Sequence, residues 1–269
     1  MLYRWPRPLV EGCLVRRYER FIAEVRVGRE LVRAHCVNPG RMEGMVVPGA
    51  RVWLSEAPGR ALPWTWELME LDGLLLGANT SMPNRLVKVA LERGLVKGFE
   101  GTREVKPEQK MGKHHRVDFV VDGERLVEVK NCHLVYPDRR GYFPDSASER
   151  AKSHAQALAR RARAGTRCSI IFTVPRDDVD ALRPSALHDP AFTAALRAAG
   201  RAGVTMTALR LRPSLDGIEL LDEVPVELDA YDVAPLRAWS HALDETSGWQ
   251  RKDGRWSGRS LPDGAGRRR

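Results

Sequence analysis

The hydrophobic pattern changes period near Asn79, and this constrains the fold of the 269-residue chain more than any other feature. Before it lie short strand-like runs, of which Phe21–Val27 alternates apolar and polar residues cleanly. Cys13–Tyr18, Leu31–Cys36, Ala50–Leu54, Trp64–Met69 and Leu74–Gly77 read as the other strands. Alternation sends successive side chains to opposite faces, so each run is a strand with one buried face. Gly28-Arg29-Glu30, Asn38-Pro39-Gly40, Pro48-Gly49 and Pro58-Gly59 break the runs with turn-forming residues. Five or six strands at this spacing predict a small β-barrel, of which the five-stranded, oligonucleotide-binding OB-fold is an example. A fragment of a β-sandwich fits the same spacing. Arg16, Arg17, Arg20, Arg26, Arg33, Arg41, Trp64 and Trp66 are the cations and rings that a single-strand binder uses. Solvated arginines and packed tryptophans are the commoner fate of such residues.

After Asn79 the periods are mixed. Leu86, Val89 and Ala90 share one helical face, with Asn84 as a cap and Gly94 as a stop. Thr102–Val105, Arg116–Val121 and Leu126–Asn131 read as strands. Ser146-x-x-Glu149 has the form of a capping box, opening a helix to about Ala164 that Gly165 ends. Ala151, Ala155, Leu158 and Ala162 form its buried stripe, and Lys152, Gln156, Arg160 and Arg163 lie on another face. Cys168–Val174 is a short apolar strand, Pro190–Ala199 a second helix on this side, and Val204–Leu211 a last core strand. This order predicts an α/β domain, a sheet with helices packed on it.

Within that domain, Arg116–Val121 and Leu126–Asn131 flank Asp122-Gly123-Glu124-Arg125, which predicts a hairpin. Glu128 and Lys130 are two apart and share a strand face, while Val127 and Val129 take the other. An acid, Asp118, stands ten residues before this Glu-x-Lys triplet. Two carboxylates of this kind can hold a hard divalent cation through oxygen, and such a cation polarises a phosphate and activates water. A lysine beside them can orient that water or offset the charge that builds on phosphorus. Asp118 and Glu128 are therefore candidate catalytic residues and ligands for Mg²⁺ or Mn²⁺, with the Val129 carbonyl as a further ligand and Lys130 as the catalytic cation. A solvated hairpin edge often carries the same pairs. A plain two-residue Asp-Gly turn would also set Asp118 opposite Val127, with Glu128 on the wrong face. A shared site needs an odd loop or a bulge, such as Asp122-Gly123-Glu124 with one left-handed residue.

Charge and cysteine usage narrow the partners. A formal charge of +9 and a pI near 9.7 favour a polyanion. From Arg237 onward eight Lys/Arg stand against four Asp/Glu, so +4 of that charge lies in the tail and +5 in the body. The four cysteines, Cys13, Cys36, Cys132 and Cys168, are scattered with no Cys-x-x-Cys, which points to a reducing, cytoplasmic compartment and away from a zinc cage. No run of 18 apolar residues exists and the first residues lack a signal-like apolar core, so no membrane partner is expected. Ser-His-Asp order, a phosphate-gripping glycine loop and a dinucleotide fingerprint are all missing. Among the histidines, His114 and His115 adjoin the first acid strand, His133 follows the triplet, and His154 lies on the long helix. Lys152 and His154 are candidates for contacting a scissile phosphate, and Lys113, His115 and Arg116 for holding nucleic acid beside the acids, together with Arg17, Arg20, Arg41 and Trp66 of the barrel.

An ordered set of short motifs carries a resemblance. Arg17-Tyr18-x-Arg20-Phe21, His35-Cys36-x-Asn38, Pro48-Gly49, Thr65-Trp66-Glu67-Leu68, Asn84-Arg85-Leu86, Arg116-Val117-Asp118-Phe119, Val127-Glu128-Val129-Lys130-Asn131, Gly141-Tyr142-Phe143-Pro144-Asp145 and Glu149-Arg150 span most of the chain. The set resembles the sugar fermentation stimulation protein A family. The resemblance implies an OB-like domain over residues 1–80 and a restriction-endonuclease-like domain over 81–229, with Asp118, Glu128 and Lys130 at the family's acid and Glu-x-Lys positions. It also implies DNA binding without strong sequence preference and a link to regulation of sugar (maltose) metabolism. Four departures stand out. Val89 replaces a helix acid, with Glu92 one turn on. The family's Asn-Thr-Gly is Asn38-Pro39-Gly40 here, and its small residue before the Arg-x-Asp is His115. Residues 230–269 have no counterpart and read as a flexible basic tail. Two function classes follow: a metal-dependent nuclease acting on DNA or RNA, and a DNA-binding regulator that keeps the nuclease core as scaffold.

Overall fold

The computed structural model describes residues 1–110 and 116–247. In chain order the strands of the first half are β1 (Tyr3–Arg4), β2 (Val10–Tyr18), β3 (Ile22–Val27), β4 (Glu30–His35), β5 (Arg51–Glu56), β6 (Trp64–Leu71) and β7 (Leu74–Gly77). The alternating runs form a closed barrel. Hydrogen bonding runs β4-β3-β2-β5-β6, and a parallel pairing of Ala34 with Trp64 and His35 with Thr65 joins β6 back to β4. Closure removes the sheet edges that short amphipathic strands would otherwise expose. The inward residues include Leu14, Ala23, Val25, Ala34, Val52, Leu54, Trp66 and Met69, all buried. β1 does not belong to this barrel. It pairs with the last strand of the other domain, and Leu2 is buried there, so the boundary at residue 1 is corrected: the chain starts in the C-terminal sheet.

The second half contains α1 (Met82–Glu92), β8 (Val105–Lys110), β9 (Arg116–Val121), β10 (Arg125–Asn131), β11 (Arg140–Phe143), α2 (Glu149–Arg163), β12 (Arg167–Val174), β13 (Ala181–Pro184), α3 (Pro190–Arg201), β14 (Thr205–Pro213), β15 (Gly217–Val224) and α4 (Ala234–Thr246). One sheet runs β1-β15-β14-β12-β10-β9-β8, parallel through β10, β12 and β14 and antiparallel at both flanks. β8 lies further along the chain than the run expected at Thr102–Val105. Its Pro107 has no N–H to donate, and the edge position of β8 accommodates this because the outer side needs no donor. Leu86, Val87, Ala90 and Leu91 of α1 pack on one face of the sheet with Phe119, Val127 and Val129. Ala151, Ala155 and Leu158 of α2, with Phe192 and Leu196 of α3, pack on the other with Ile170 and Phe172. Each fully buried Leu or Phe stabilises this sandwich by about 1.5–3 kcal/mol.

Two helix starts differ from expectation. Ser148, not Ser146, caps α2: its hydroxyl accepts from the Ala151 amide at 3.2 Å. Asn84 sits inside α1, which opens after Ser81 with Pro83 in its first turn, so Asn84 does not cap and its amide is available elsewhere. The tail is also corrected. Residues 234–246 form α4, and Leu236, Trp239 and Leu243 cover Leu134, Tyr136 and Tyr142. An apolar stripe at Leu236, Trp239 and Leu243 outweighed the polar composition of the segment. Among the described residues no helix is long and apolar enough to cross a membrane.

The two domains are clamped together by polar contacts that are buried or partly buried. Asp145 accepts from the Met42 amide at 2.8 Å, and Glu43 accepts from Tyr136 Oη at 2.5 Å and lies 2.9 Å from His188 Nε2. The barrel loop 38–44 is thereby held against the α/β domain. Where the barrel segment runs out toward α1, Thr80 Oγ1 donates to the Val37 carbonyl at 2.6 Å and Asn79 donates to Glu67 at 2.8 Å, contacts within the N-terminal domain that fix the exit of the chain.

Candidate active site

The β9–β10 turn decides whether the acids meet. Asp122 and Gly123 both adopt left-handed backbone, with φ of 51° and 70°, and the Glu124 amide donates to the Val121 carbonyl at 3.1 Å. That is the turn an Asp-Gly pair favours. Yet the ladder pairs Arg125, not Glu124, with Val121, then Leu126 with Val120 and Val127 with Phe119. The loop therefore counts three residues, the odd length the shared site requires, and carries two left-handed residues rather than one. Continued by one step, this register sets Glu128 opposite Asp118 on the face that looks toward α2. The Asp122 carboxylate anchors the turn, accepting from the amides of Arg103 at 2.9 Å and Glu104 at 2.8 Å.

Beyond Val127 the backbone ladder stops and the Asp118 side chain replaces it. Asp118 Oδ2 accepts from the Val129 amide at 2.7 Å, and Oδ1 from Asn84 Nδ2 at 3.0 Å. The N–H and C=O of one residue in a strand point to the same edge, so the Val129 carbonyl also faces Asp118. Glu128 is 2% exposed. Its Oε1 takes Lys130 Nζ at 2.5 Å and also contacts His154 Nδ1 from α2. Its Oε2 is buried without a hydrogen-bond partner among the described residues.

The electrostatics separate the two acids. Burial pushes the Asp118 carboxyl above its ordinary value, and the neighbouring Glu128 charge adds to this against the pull of the Val129 amide, Asn84 and Lys130. Burial pushes Glu128 up as well, but the hydrogen bond from His154 and the Lys130 charge together outweigh it and hold the carboxyl below its usual range. Glu128 is thus ionised in place. Among the described residues no three His, Cys, Asp or Glu side chains are grouped as a ready-made metal cage. The pair still suits a hard cation that keeps most of its water, because such ions commonly use one or two carboxylates plus substrate oxygens. The orphaned Glu128 Oε2 is the atom that most calls for such a partner.

Other candidate residues divide. Arg20 and Arg41 line a cleft between barrel and α/β domain. Arg17 is fully buried and donates to the carbonyls of Arg20, Asn38, Gly40 and Arg41, and Trp66 is fully buried with its indole donating to the Leu68 carbonyl. Neither offers a surface to nucleic acid; both hold the barrel together. Arg116 is exposed and 3.4 Å from Glu108. Lys152 is paired with Glu149 one turn away, while His154 contacts Glu128 directly. His154 therefore positions an acid rather than standing apart as a phosphate ligand. Lys113 and His115 lie outside the described residues. Val89 packs on the α1-side core, and Glu92 is tied to Lys88, so neither adds an acid to the pair. Asn84 is the α1 residue that reaches the site. Its place in the Asn-Arg-Leu motif was the signal, obscured by its fitness as a helix cap.

Comparison with known proteins agrees with this architecture. A family profile described as "SfsA N-terminal OB domain" matches residues 15–77, and one described as "Sugar fermentation stimulation protein RE domain" matches residues 81–217. The chain is 43% identical over 227 residues to a sugar fermentation stimulation protein homolog of Pelobacter propionicus, covering 82% of this chain and 98% of the relative. It is 41% identical over 232 residues to one of Geobacter metallireducens, covering 84% of this chain and all of the relative. Its fold is similar to a solved structure described as Pyrococcus furiosus SfsA in complex with Ca²⁺. The TM-score is 0.78, with 28% identity over 84% of this chain and 98% of that one. The chain belongs to the sugar fermentation stimulation protein family, with an N-terminal OB barrel and a C-terminal α/β domain.

Proposed function

We propose that the chain is a divalent-metal-dependent nuclease that cleaves phosphodiester bonds in DNA or RNA and binds DNA with little sequence preference. The observation that carries this reading is the three-residue β9–β10 loop, which sets Asp118 against Glu128 and leaves Lys130 on the same strand face. The relative described in complex with Ca²⁺ supports a divalent cation, with Mg²⁺ or Mn²⁺ as the catalytic metal of this chain. Asp118, Glu128 and the Val129 carbonyl would hold it. When bound, such an ion supplies positive charge that polarises a phosphoryl oxygen and lowers the pKa of water. The protein's own part is orientation. Asn84 and the Val129 amide fix the Asp118 carboxylate. His154 and Lys130 keep Glu128 ionised and leave Oε2 for a ligand. Lys130 Nζ donates toward the water or the phosphate oxygens as negative charge develops there.

The test is cleavage of plasmid and single-stranded DNA, and of RNA, with Mg²⁺, Mn²⁺ or chelator. Asp118→Asn and Glu128→Gln should each lower the rate at least ~100-fold, about 2.7 kcal/mol. DNA binding should survive or strengthen, since negative charge near the phosphate is removed. An Asp118→Asn protein that cuts as well as the parent refutes the reading.

A second reading has a specific observation behind it. With Val89 packed in the core and Glu92 bound to Lys88, α1 contributes no acid. The chain then serves as a DNA-binding regulator of sugar metabolism that retains the nuclease core as scaffold. Retention of DNA with no cleavage in any metal selects this reading.

A further inference from the structure

α1 reaches the acid pair through Asn84, and that side chain is neutral. Pro83 opens the first turn of the helix, and the buried Leu86, Val87 and Ala90 lock one face on the sheet, so a fixed element carries Asn84 to Asp118. The amide nitrogen donates to Asp118 Oδ1 at 3.0 Å. An ionised carboxylate only accepts, so the amide must turn its nitrogen, not its oxygen, toward Asp118. Each carboxylate oxygen has two lone-pair sites, so Oδ1 can take this bond and a cation together. The other oxygen, Oδ2, accepts from the Val129 amide at 2.7 Å. The carboxylate is thus gripped at both oxygens, once from the helix and once from the sheet.

A neutral residue at this place runs against local helix physics. Asn84 lies in the first turn of α1, and that turn contains no acid. The positive end of the helix dipole favours a carboxylate there. An aspartate at 84 would suit the helix, yet it would set a like charge against Asp118 where a donor now stands. Further along the helix, Glu92 is committed to Lys88. Among the described residues no three His, Cys, Asp or Glu side chains are grouped to hold a metal ion. Charge then limits occupancy. With both acids ionised, Asp118 and Glu128 against Lys130 leave one formal negative charge. A first divalent ion already exceeds it, and a second would stand beside the first with no further acid to offset it.

We propose that Asn84 is a positioning residue that fixes the metal content of the site at one divalent ion. Its amide orients Asp118 for that ion, and its neutrality withholds the third carboxylate that a second ion needs. The proposal rests on the nuclease reading and deepens it. Two-metal phosphodiester sites clamp the attacking and the leaving oxygen between ions. In a one-ion site a protein cation must share that task, and Lys130, on the same strand face as Glu128, is the cation in place. The missing acid of α1 changes the number of ions, not the presence of a site.

The experiment counts Mn²⁺ on the full-length protein without nucleic acid, by isothermal titration calorimetry and by the EPR signal of free Mn²⁺. Site ions are those lost when Asp118→Asn and Glu128→Gln are combined, which excludes ions bound elsewhere on the surface. The parent should hold one. Asn84→Ala should still hold one, with affinity lowered roughly 10- to 100-fold, the usual cost of losing a group that orients a metal ligand. Asn84→Asp should hold two. A purely structural role for Asn84 would lower the melting temperature of Asn84→Ala in chelator and leave its Mn²⁺ affinity at the parental value. Two site ions on the parent, parental affinity in Asn84→Ala, or a single site ion on Asn84→Asp overturns the proposal. In each of these cases binding that depends on Asp118 and Glu128 survives, and the nuclease reading survives with it. A parent with no ion that depends on the pair overturns both.

Discussion

Replacing Arg17 with methionine separates a structural arginine from a phosphate contact. The guanidinium is fully buried and makes hydrogen bonds of 3.0, 2.7, 2.9 and 3.4 Å to the carbonyls of Arg20, Asn38, Gly40 and Arg41. Methionine keeps most of the stem and its packing but removes every donor. Three well-formed charge-assisted bonds at about 1.5 kcal/mol each give a gross loss of roughly 4.5 kcal/mol. Relief from burying a charge, and relaxation of the two loops toward water, return a part of this. The expected net loss is about 3 kcal/mol, which in a chain of this size lowers the melting temperature by about 6–12 °C. Arg17→Lys should lose about half as much, since one ammonium cannot reach carbonyls on both loops. Urea titration followed by tryptophan fluorescence, with a thermal melt, measures both variants. An Arg17→Met protein within 0.5 kcal/mol of the parent (about one third of a single bond's worth) refutes the argument. So does one that keeps its stability but binds DNA weakly, which is the signature of a surface phosphate contact.

Further outcomes can be stated more briefly. Burial raises the Glu43 carboxyl, but His188 and Tyr136, with smaller help, outweigh burial and leave it below its ordinary value. A lowered folded pKa means the unfolded chain binds more protons. Glu43 therefore contributes stability above the ordinary glutamate range and loses it as pH falls through the folded value. Glu43→Gln should be less stable near neutrality and show a flatter acid limb; parallel curves in acid titrations of the two proteins would count against the clamp. Truncation after Ser247 removes a stretch with seven Lys/Arg and two Asp/Glu. It should reduce DNA affinity and flatten its salt dependence without changing the melt. Truncation before Ala234 should also destabilise the protein, because it uncovers Tyr136 and Tyr142. Equal melts for the two truncations would show that α4 contributes no packing. Gly200→Ala should destabilise the α/β domain, because a β-carbon there would lie 2.7 Å from Leu228. A melt equal to that of the parent means the Leu228 side chain simply moves aside.

The local features read from the chain came from short-range rules that the tertiary structure did not override. Short β-prone runs, cleanly alternating at Phe21–Val27 and separated by Gly and Pro breaks, marked the six strands of residues 13–77. The alanine-rich stripe of α2 and its end at Gly165, φ 88°, were equally visible. Glu128 and Lys130 on one face, with Val127 and Val129 on the other, followed from the period of two. Three decisions were left open by periodicity and local turn rules. The extra residue at Glu124 set Asp118 against Glu128, and an Asp-Gly turn can be read with or without it. Arg17 and Trp66 were drawn inward because loop carbonyls and the barrel interior needed them, although their residue types suit a surface that grips nucleic acid. His154 met Glu128, Asn84 met Asp118, Tyr3 met Ile218 and Leu243 met the Gly44 loop across separations of 26, 34, 215 and about 200 residues. Periodicity carries the direction of a side chain relative to its own element. Which partner stands in that direction is set by the packing of the whole chain.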